Sequence, residues 1–484
     1  MMTHTLRLSV LAFGMSWLLA GCGDEPETAS AAKVPFPSTY KALPSKPTLL
    51  KNATLLIGNG ERIDNGSVLM QDGKIRAVGT DLAVPDGTEI IDAAGKWVTP
   101  GLIDVHSHLG VYPSPGLAAS EDGNEMVAPD TAYAWAEHAV WPQDPQFPLA
   151  LAGGVTSLHI LPGSANLFGG RSVTLKNVPG RTVQEMKFPE APHGLKMACG
   201  ENPKRTYGEK GGPMTRMGNV AGYRKSWSEA EKYRQDWQAY EDALAAAGGN
   251  EDAVADKKPA RDLRLETLAG VLKGEILIQN HCYRAEEMAL MIDIAKEFHF
   301  RIATFHHAVE AYKVADLLAE NDICAAVWAD WWGFKHEAFD MVFENAAYVD
   351  KAKATVTVND KTEERVGCAV IHSDSALGIQ RLNQEAAKAM AAGQRAGLAI
   401  DEAKAIRWLT SNAAKAIGIA DKVGTLEAGK MADVVLWDRN PFSVYAHAEK
   451  VFIDGALLYD RSNAAQQPAT DFELGIVKPE GERL

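Results

Sequence analysis

The stretch Val98-Thr99-Pro100-Gly101-Leu102-Ile103-Asp104-Val105-His106-Ser107-His108 decides the fold. Its apolar run from Leu102 to Val105 reads as a strand, and residues two apart on an extended chain share a face, so His106 and His108 project together. Neutral imidazole is the commonest ligand for zinc-like ions, and a pair fixed on a rigid strand reaches one cation without a mobile loop. Two surface histidines near a strand end would show the same spacing, so the rest of the chain must carry the metal reading.

Downstream, strand-like apolar runs alternate with longer helical stretches, the pattern of a parallel sheet built from βα units. Strands are predicted at 102–105, 156–160, 172–176, 195–199, 275–279, 301–305, 323–328 and 369–371. Eight is the number of a (β/α)8 barrel, whose chemistry sits where the strands end at the C-terminal face. The run 276–280 ends in His281, the run 302–305 ends in His306-His307, and the run 369–373 ends in Asp374. A carboxylate there can hold a metal and also take a proton from metal-bound water. Singly, each histidine could be satisfied by a carbonyl and Asp374 could cap a helix; their joint order favours a site.

Before the barrel, runs at 53–57, 67–71 and 74–78 are short strands, with Asp72-Gly73 as a hairpin turn. Similar material returns at 432–437 and 450–453, where Asp454-Gly455 turns into 456–459. The expected organisation is a barrel at 99–420, a small β-sandwich domain made from 47–98 and 421–465, and a C-terminal tail at 466–484. A chain of 484 residues exceeds what one core usually serves. Its 49 Lys+Arg against 63 Asp+Glu give a net charge of -14, which argues against nucleic acid as a partner.

His4 and Arg7 precede the apolar run 8–20, too short for a bilayer span but suited to a secretory signal. Leu19-Ala20-Gly21-Cys22 resembles the lipobox of bacterial lipoproteins. The resemblance implies a signal peptide at 1–22, a lipidated Cys22, and an exported protein anchored in the bacterial cell envelope on the periplasmic side. Residues 23–46, rich in Ala, Pro, Ser and Thr, read as a flexible tether. Cys199, Cys282, Cys324 and Cys368 lie singly in apolar runs without C-x-x-C spacing, so buried free thiols are expected.

Taken together, V-T-P-G-L-I-D-V-H-S-H, N-H-C-Y-R-A-E-E-M from Asn280, H-A-V-E-A-Y-K from His307, H-S-D-S-A-L from His372 and the run Gly424 to Asp433 resemble the metal-dependent amidohydrolase superfamily. The likeness runs from about Leu49 to Tyr459 and is greatest to the imidazolonepropionase-like and dipeptidase-like branch. It implies a distorted (β/α)8 TIM barrel with a β-sandwich formed by both termini, and one or two divalent ions, zinc expected, at the barrel mouth. Carried over, His106 and His108 would hold the more buried ion, and His281 and His307 the more exposed one. Asp374 would complete the first site and act as the base. His307 is preferred to His306 because it opens the family-like run and because alternation puts Ala303 and Phe305 on its face; His306 stays an alternative.

On the fourth strand, Lys196 shares a face with Ala198 and Gly200 while Leu195, Met197 and Cys199 face the other way. A carbamylated Lys196 would bridge two ions, as in the binuclear members of the superfamily; Glu201, just beyond the strand, is the competing ligand. Gly170 and Arg171, ending a glycine-containing run after the second strand, are candidates for substrate binding, as a turn or backbone nest. Arg284 could grip a substrate carboxylate or pair with Glu287. Trp331-Trp332-Gly333-Phe334-Lys335 could wall the pocket, and 223–244 is an amphipathic helix.

The expected reaction is hydrolysis of an amide-type C–N bond by metal-activated hydroxide, with a small peptide or N-acyl amino acid as substrate. The same scaffold serves deaminases and lactonases, and a lipid-anchored binding protein without chemistry is the alternative of another class. The sequence is also compatible with a homo-oligomer.

Overall fold

The structure, a computed structural model, describes residues 35–358 and 360–468; the segment expected to be a signal peptide, Cys22 and most of the expected C-terminal tail lie outside the described residues. The described residues from Ser38 to Pro468 form one compact unit. Its strands in order are β1 (Thr48–Leu56), β2 (Arg62–Gln71), β3 (Lys74–Gly79), β4 (Glu89–Asp92) and β5 (Trp97–Pro100), then β6 (Leu102–Ser107), β7 (Val155–Ile160), β8 (Phe168–Lys176), β9 (Gly194–Ala198), β10 (Leu277–His281), β11 (Ile302–His306) and β12 (Cys324–Val327). A hairpin, β13 (Lys353–Val358) and β14 (Lys361–Val366), precedes β15 (Cys368–Ile371), and β16 (Val434–Trp437), β17 (Ala448–Ile453) and β18 (Ala456–Asp460) close the chain.

The terminal strands join as predicted, since β5 pairs with β1 on one side and with β16 on the other. Their order is β18-β17-β16-β5-β1-β2-β3, with β4 also on β1. The turn between β2 and β3 uses Asp72 and Gly73 at φ 52° and 75°, the positive values a two-residue hairpin needs. Hydrogen bonding joins these strands into one continuous sheet, and the sandwich expected of the two termini is this sheet folded over on itself. It curls around a shared core of Leu50, Leu55, Val68, Val98, Val434, Leu436 and Phe452, and Ala432 N–H donates to Gly73 O to bring the far edge back.

A second sheet, ordered β15-β12-β11-β10-β9-β8-β7-β6, forms the barrel. Asp374 N–H donates to His106 O at 3.0 Å and Ser373 N–H to Asp104 Oδ1 at 3.1 Å, drawing the last strand to the first. The barrel is distorted at β8, which runs antiparallel to both neighbours. Too little chain separates Ile160 from Phe168 for the helical crossover a parallel strand needs, so β8 turns straight back. Strand β8 begins at Phe168, so Gly170 and Arg171 belong to a strand and not to a turn or nest.

Three further expectations change. The tether does not extend to residue 46: Ser38 Oγ donates to Lys187 O at 2.6 Å, Thr39 N–H donates to Gln184 O, and Tyr40 OH donates to Asp454. The four cysteines are not free thiols, because pairing of neighbouring strands brings Cys199 to Cys282 and Cys324 to Cys368 as disulfides, with Cα separations of 5.2 and 4.5 Å. The amphipathic helix is longer than predicted, Arg216–Ala246, capped by Thr215 and buried along Tyr223, Trp227, Ala230 and Tyr233. Barrel and terminal sheet are tied by Lys176, whose buried ammonium meets Asp433 at 3.1 Å and Asp454 at 2.8 Å.

Candidate metal centre

Register explains which side chains face the barrel axis. Gln279 lies opposite Lys196 on one side and Thr304 on the other, so these three share a face; two residues further on, that face carries His281 and His306. Alternation therefore turns His306 inward, not His307. His307 joins the cluster by another route: its φ of 59° is left-handed and ends the period-two pattern just past β11. The argument from Ala303 and Phe305 fails, although it named the residue that reaches the cluster.

Asp374 is the hub. Its Oδ1 lies 3.1 Å from His108 Nε2 and 3.6 Å from His106 Nε2, and its Oδ2 lies 3.8 Å from His307 Nε2. Lys196 Nζ sits 3.1 Å from His106 Nε2. The His307 and His281 rings are 4.7 Å apart. His108 donates from Nδ1 to Leu161 O at 2.8 Å, which fixes the ring with Nε2 toward Asp374.

These residues fit a divalent metal. Buried polar atoms almost always find a hydrogen-bond partner, yet both nitrogens of His281, both of His372 and Nδ1 of His307 have none. Two sets, His106 with His307 and His372 and His106 with His108 and Asp374, place their ligand atoms within 4.8 Å of one another. Burial, and then the charge of neighbouring cationic groups, pushes the pKa of His106, His281 and His307 well below the ordinary value, so the rings are neutral and their lone pairs available. Burial alone would raise the Asp374 pKa, but the His108 hydrogen bond and charge, with His372 and Lys196, hold it below the usual aspartate value. Burial pushes the Lys196 amine down to about 7, with Asp374 opposing.

Not every candidate arrives here. Glu201 opens the helix Glu201–Tyr207 and turns to Lys335, 3.6 Å away, with 30 % of its side chain exposed; Lys196 occupies the inward position instead. Arg284 pairs with Glu286 at 2.6 Å, neither facing the site nor meeting Glu287. Arg171 faces outward with Leu195, its guanidinium 4.1 Å over the Trp135 ring and its Nε donating to Thr267. At Gly170, φ is 113° and a Cβ would meet Ala134 O at 2.2 Å, so the glycine admits a neighbouring backbone rather than a ligand.

Sequence reasoning gave His372 no role, though its place two residues before Asp374 was the signal: the same i, i+2 spacing as His106 and His108. Of the expected wall, Trp331, Phe334 and Lys335 reach the site, whereas Trp332 is exposed and turns to Phe339; Trp328 and Tyr283 extend the wall. Trp328 stacks on His307 at 4.3 Å, Trp331 on Trp328 at 4.7 Å, and Tyr283 lies 5.6 Å from His307 beneath the Lys335 ammonium.

Comparison with known proteins agrees with this architecture. Residues 273–461 match the profile of the amidohydrolase family. Amidohydrolase tasK of Hapsidospora irregularis is 33% identical over 89% of this chain, which spans only 45% of that protein's length. An imidazolonepropionase of Mesorhizobium japonicum is 26% identical over 78% of this chain and 87% of its own. A solved amidohydrolase structure from Thermotoga maritima superposes with a TM-score of 0.73 at 34% identity, covering 86% of this chain and all of that one (100%). With the barrel, the histidine-lined mouth and these relatives in agreement, the chain belongs to the amidohydrolase family.

Proposed function

We propose that this chain hydrolyses an amide-type C–N bond in a small substrate, a peptide or an N-acyl amino acid, using one or two zinc ions. The observation that carries the reading is the set of unpartnered, buried nitrogens of His281, His372 and His307 gathered with the imidazoles of His106 and His108 that meet Asp374, at the C-terminal ends of barrel strands. His106, His108 and Asp374 would form one ligand group and His281 and His307 the other, with Lys196 against His106. A divalent ion bound there would polarise the scissile carbonyl and lower the pKa of water from ~16 towards ~7. Asp374 takes the proton of the attacking water and returns it to the leaving nitrogen as the C–N bond breaks. The wall of Tyr283, Trp328 and Trp331 suits an apolar acyl group or side chain beside His307.

The pKa of Lys196 near 7 supports its carbamylation, because the free amine is the form that adds to carbon dioxide. The amine nitrogen would bond to the carbon of carbon dioxide as one C=O pair moves to oxygen and a proton leaves the nitrogen, giving an anionic carbamate whose oxygens could hold a cation. The similarity to an imidazolonepropionase favours a second reading, in which the bond cleaved lies in a ring. Metal analysis followed by a screen of dipeptides, N-acyl amino acids, cyclic amides, cyclic amidines and lactones tests these readings. Turnover of a linear amide is the expected result; turnover confined to a lactone or an amidine would replace the assignment.

The chain is further proposed to be an exported lipoprotein of the bacterial cell envelope, anchored through Cys22. Two disulfides between barrel strands support an oxidising compartment. Cys22→Ser should move the protein from the membrane to the soluble fraction, and finding only unprocessed cytoplasmic protein in the wild type would refute this location.

A further inference from the structure

Behind the metal centre runs a chain of side chains that the proposed chemistry does not use. Gln279 donates from Nε2 to Ala416 O at 3.0 Å, and Thr304 Oγ1 donates to the same oxygen at 3.1 Å. A backbone carbonyl only accepts, so it fixes which way the amide points: reversed, Gln279 would set its own oxygen against Ala416 O. The Gln279 Oε1 therefore faces His306, 2.7 Å from Nε2, and that nitrogen must carry a hydrogen.

On its other side His306 Nδ1 lies 2.9 Å from His106 Nδ1. Only one hydrogen fits between two ring nitrogens at that distance. His306 is fully buried with no carboxylate among its hydrogen-bond partners, and with its hydrogen on Nε2 the uncharged ring has a bare Nδ1. Its Nδ1 accepts, and His106 donates from Nδ1. His106 then presents a bare Nε2 toward Lys196 and Asp374.

We propose that His306 and Gln279 are positioning residues that set the tautomer and ring orientation of His106, a role resting on the reading of His106 as a metal ligand. For His108 a carbonyl, Leu161 O, does this directly. For His106 the equivalent carbonyl belongs to Ala416, the last residue of the helix Ser411–Ala416, and two side chains span the gap. The relay also explains why His306, inward by register, is not itself a ligand: both its nitrogens are engaged. Partners of this kind typically affect metal affinity by about 10- to 100-fold.

The test uses the full chain, stripped of metal and titrated with Zn(II) against a chromophoric chelator, with the visible spectrum of the Co(II) form as a second readout. His306→Leu and Gln279→Leu should each weaken zinc binding about 10- to 100-fold and alter the cobalt spectrum. His306→Asn, whose Oδ1 can still accept from His106 Nδ1, should recover most of the affinity. A folded His306→Leu protein with wild-type affinity and spectrum overturns the relay while leaving the metal reading intact. A wild type that binds no zinc overturns both. Should the leucine variants not fold, nitrogen NMR of histidine-labelled, metal-free wild type decides: His106 must be protonated on Nδ1, with coupling across to His306, and protonation on Nε2 refutes the proposal.

Discussion

His106 Nε2 lies 3.1 Å from Lys196 Nζ and 3.6 Å from Asp374 Oδ1, so an imidazole lone pair, a buried amine and a carboxylate meet at one point on the barrel mouth. An ammonium at that point would repel a cation, whereas a neutral or carbamylated lysine would not. The chemistry of the centre therefore turns on the state of Lys196.

Substituting the two fourth-strand candidates separates them. Lys196→Ala should lower the bound metal measured by elemental analysis, because it removes the buried group against His106. Glu201→Gln should leave it unchanged, since that carboxylate faces Lys335. The reverse pattern would return Glu201 to the centre.

Lys196 also predicts a pH dependence of stability in the metal-free protein. An unfolded lysine keeps its proton to about 10.5, whereas the buried amine releases it near 7. Between these values the unfolded chain binds more protons, so this contribution to stability rises with pH, by at most ~1.4 kcal/mol per unit. Below 7 both states are protonated and the full burial penalty remains. Denaturant unfolding of wild type and Lys196→Met should show a difference that climbs in favour of the wild type above pH 7. A flat difference would mean that the amine is not depressed.

Much of this centre was legible from sequence because strand geometry is local. His106 and His108 follow from period two, and His281 and Asp374 from the ends of apolar runs. For His307 only the likeness holds and the alternation argument fails, because one left-handed residue reverses the period and leaves no trace in composition. The return of β8 through Gly169 and Gly170 was read as a turn for a related reason: glycine there serves a close backbone approach, which sequence alone does not distinguish from a loop. The disulfides needed knowledge of which strands are neighbours. Arg284 is a candidate on its charge and Arg171 on the glycine-containing run it ends, and neither signal says on which side of a strand or helix a guanidinium lies.

The junction of barrel and terminal sheet offers a stability test independent of catalysis. Lys176 is fully buried between Asp433 and Asp454. Lys176→Met keeps the volume but leaves two buried carboxylates without their cation, a loss that costs ~3–5 kcal/mol when buried pairs are broken. Chemical denaturation should register that loss while metal content stays at the wild-type level. A loss under ~1 kcal/mol, the worth of an exposed pair, would show that the junction is hydrated.

Asp374 separates an enzyme from a barrel that only binds metal. Its two oxygens face different histidines, 3.1 Å from His108 and 3.8 Å from His307, so one group can both anchor a cation and sit beside the attacking water. Asp374→Asn preserves shape and one oxygen, so the fold and much of the metal should survive. What the amide lacks is a basic site for a proton. General acid–base groups contribute roughly 100- to 10,000-fold, and turnover of any substrate found should fall by that factor. The acid limb of the pH–rate profile should disappear with it, because the carboxylate whose protonation sets that limb is gone. Wild-type turnover by Asp374→Asn would place the proton transfer elsewhere and leave Asp374 as a ligand only.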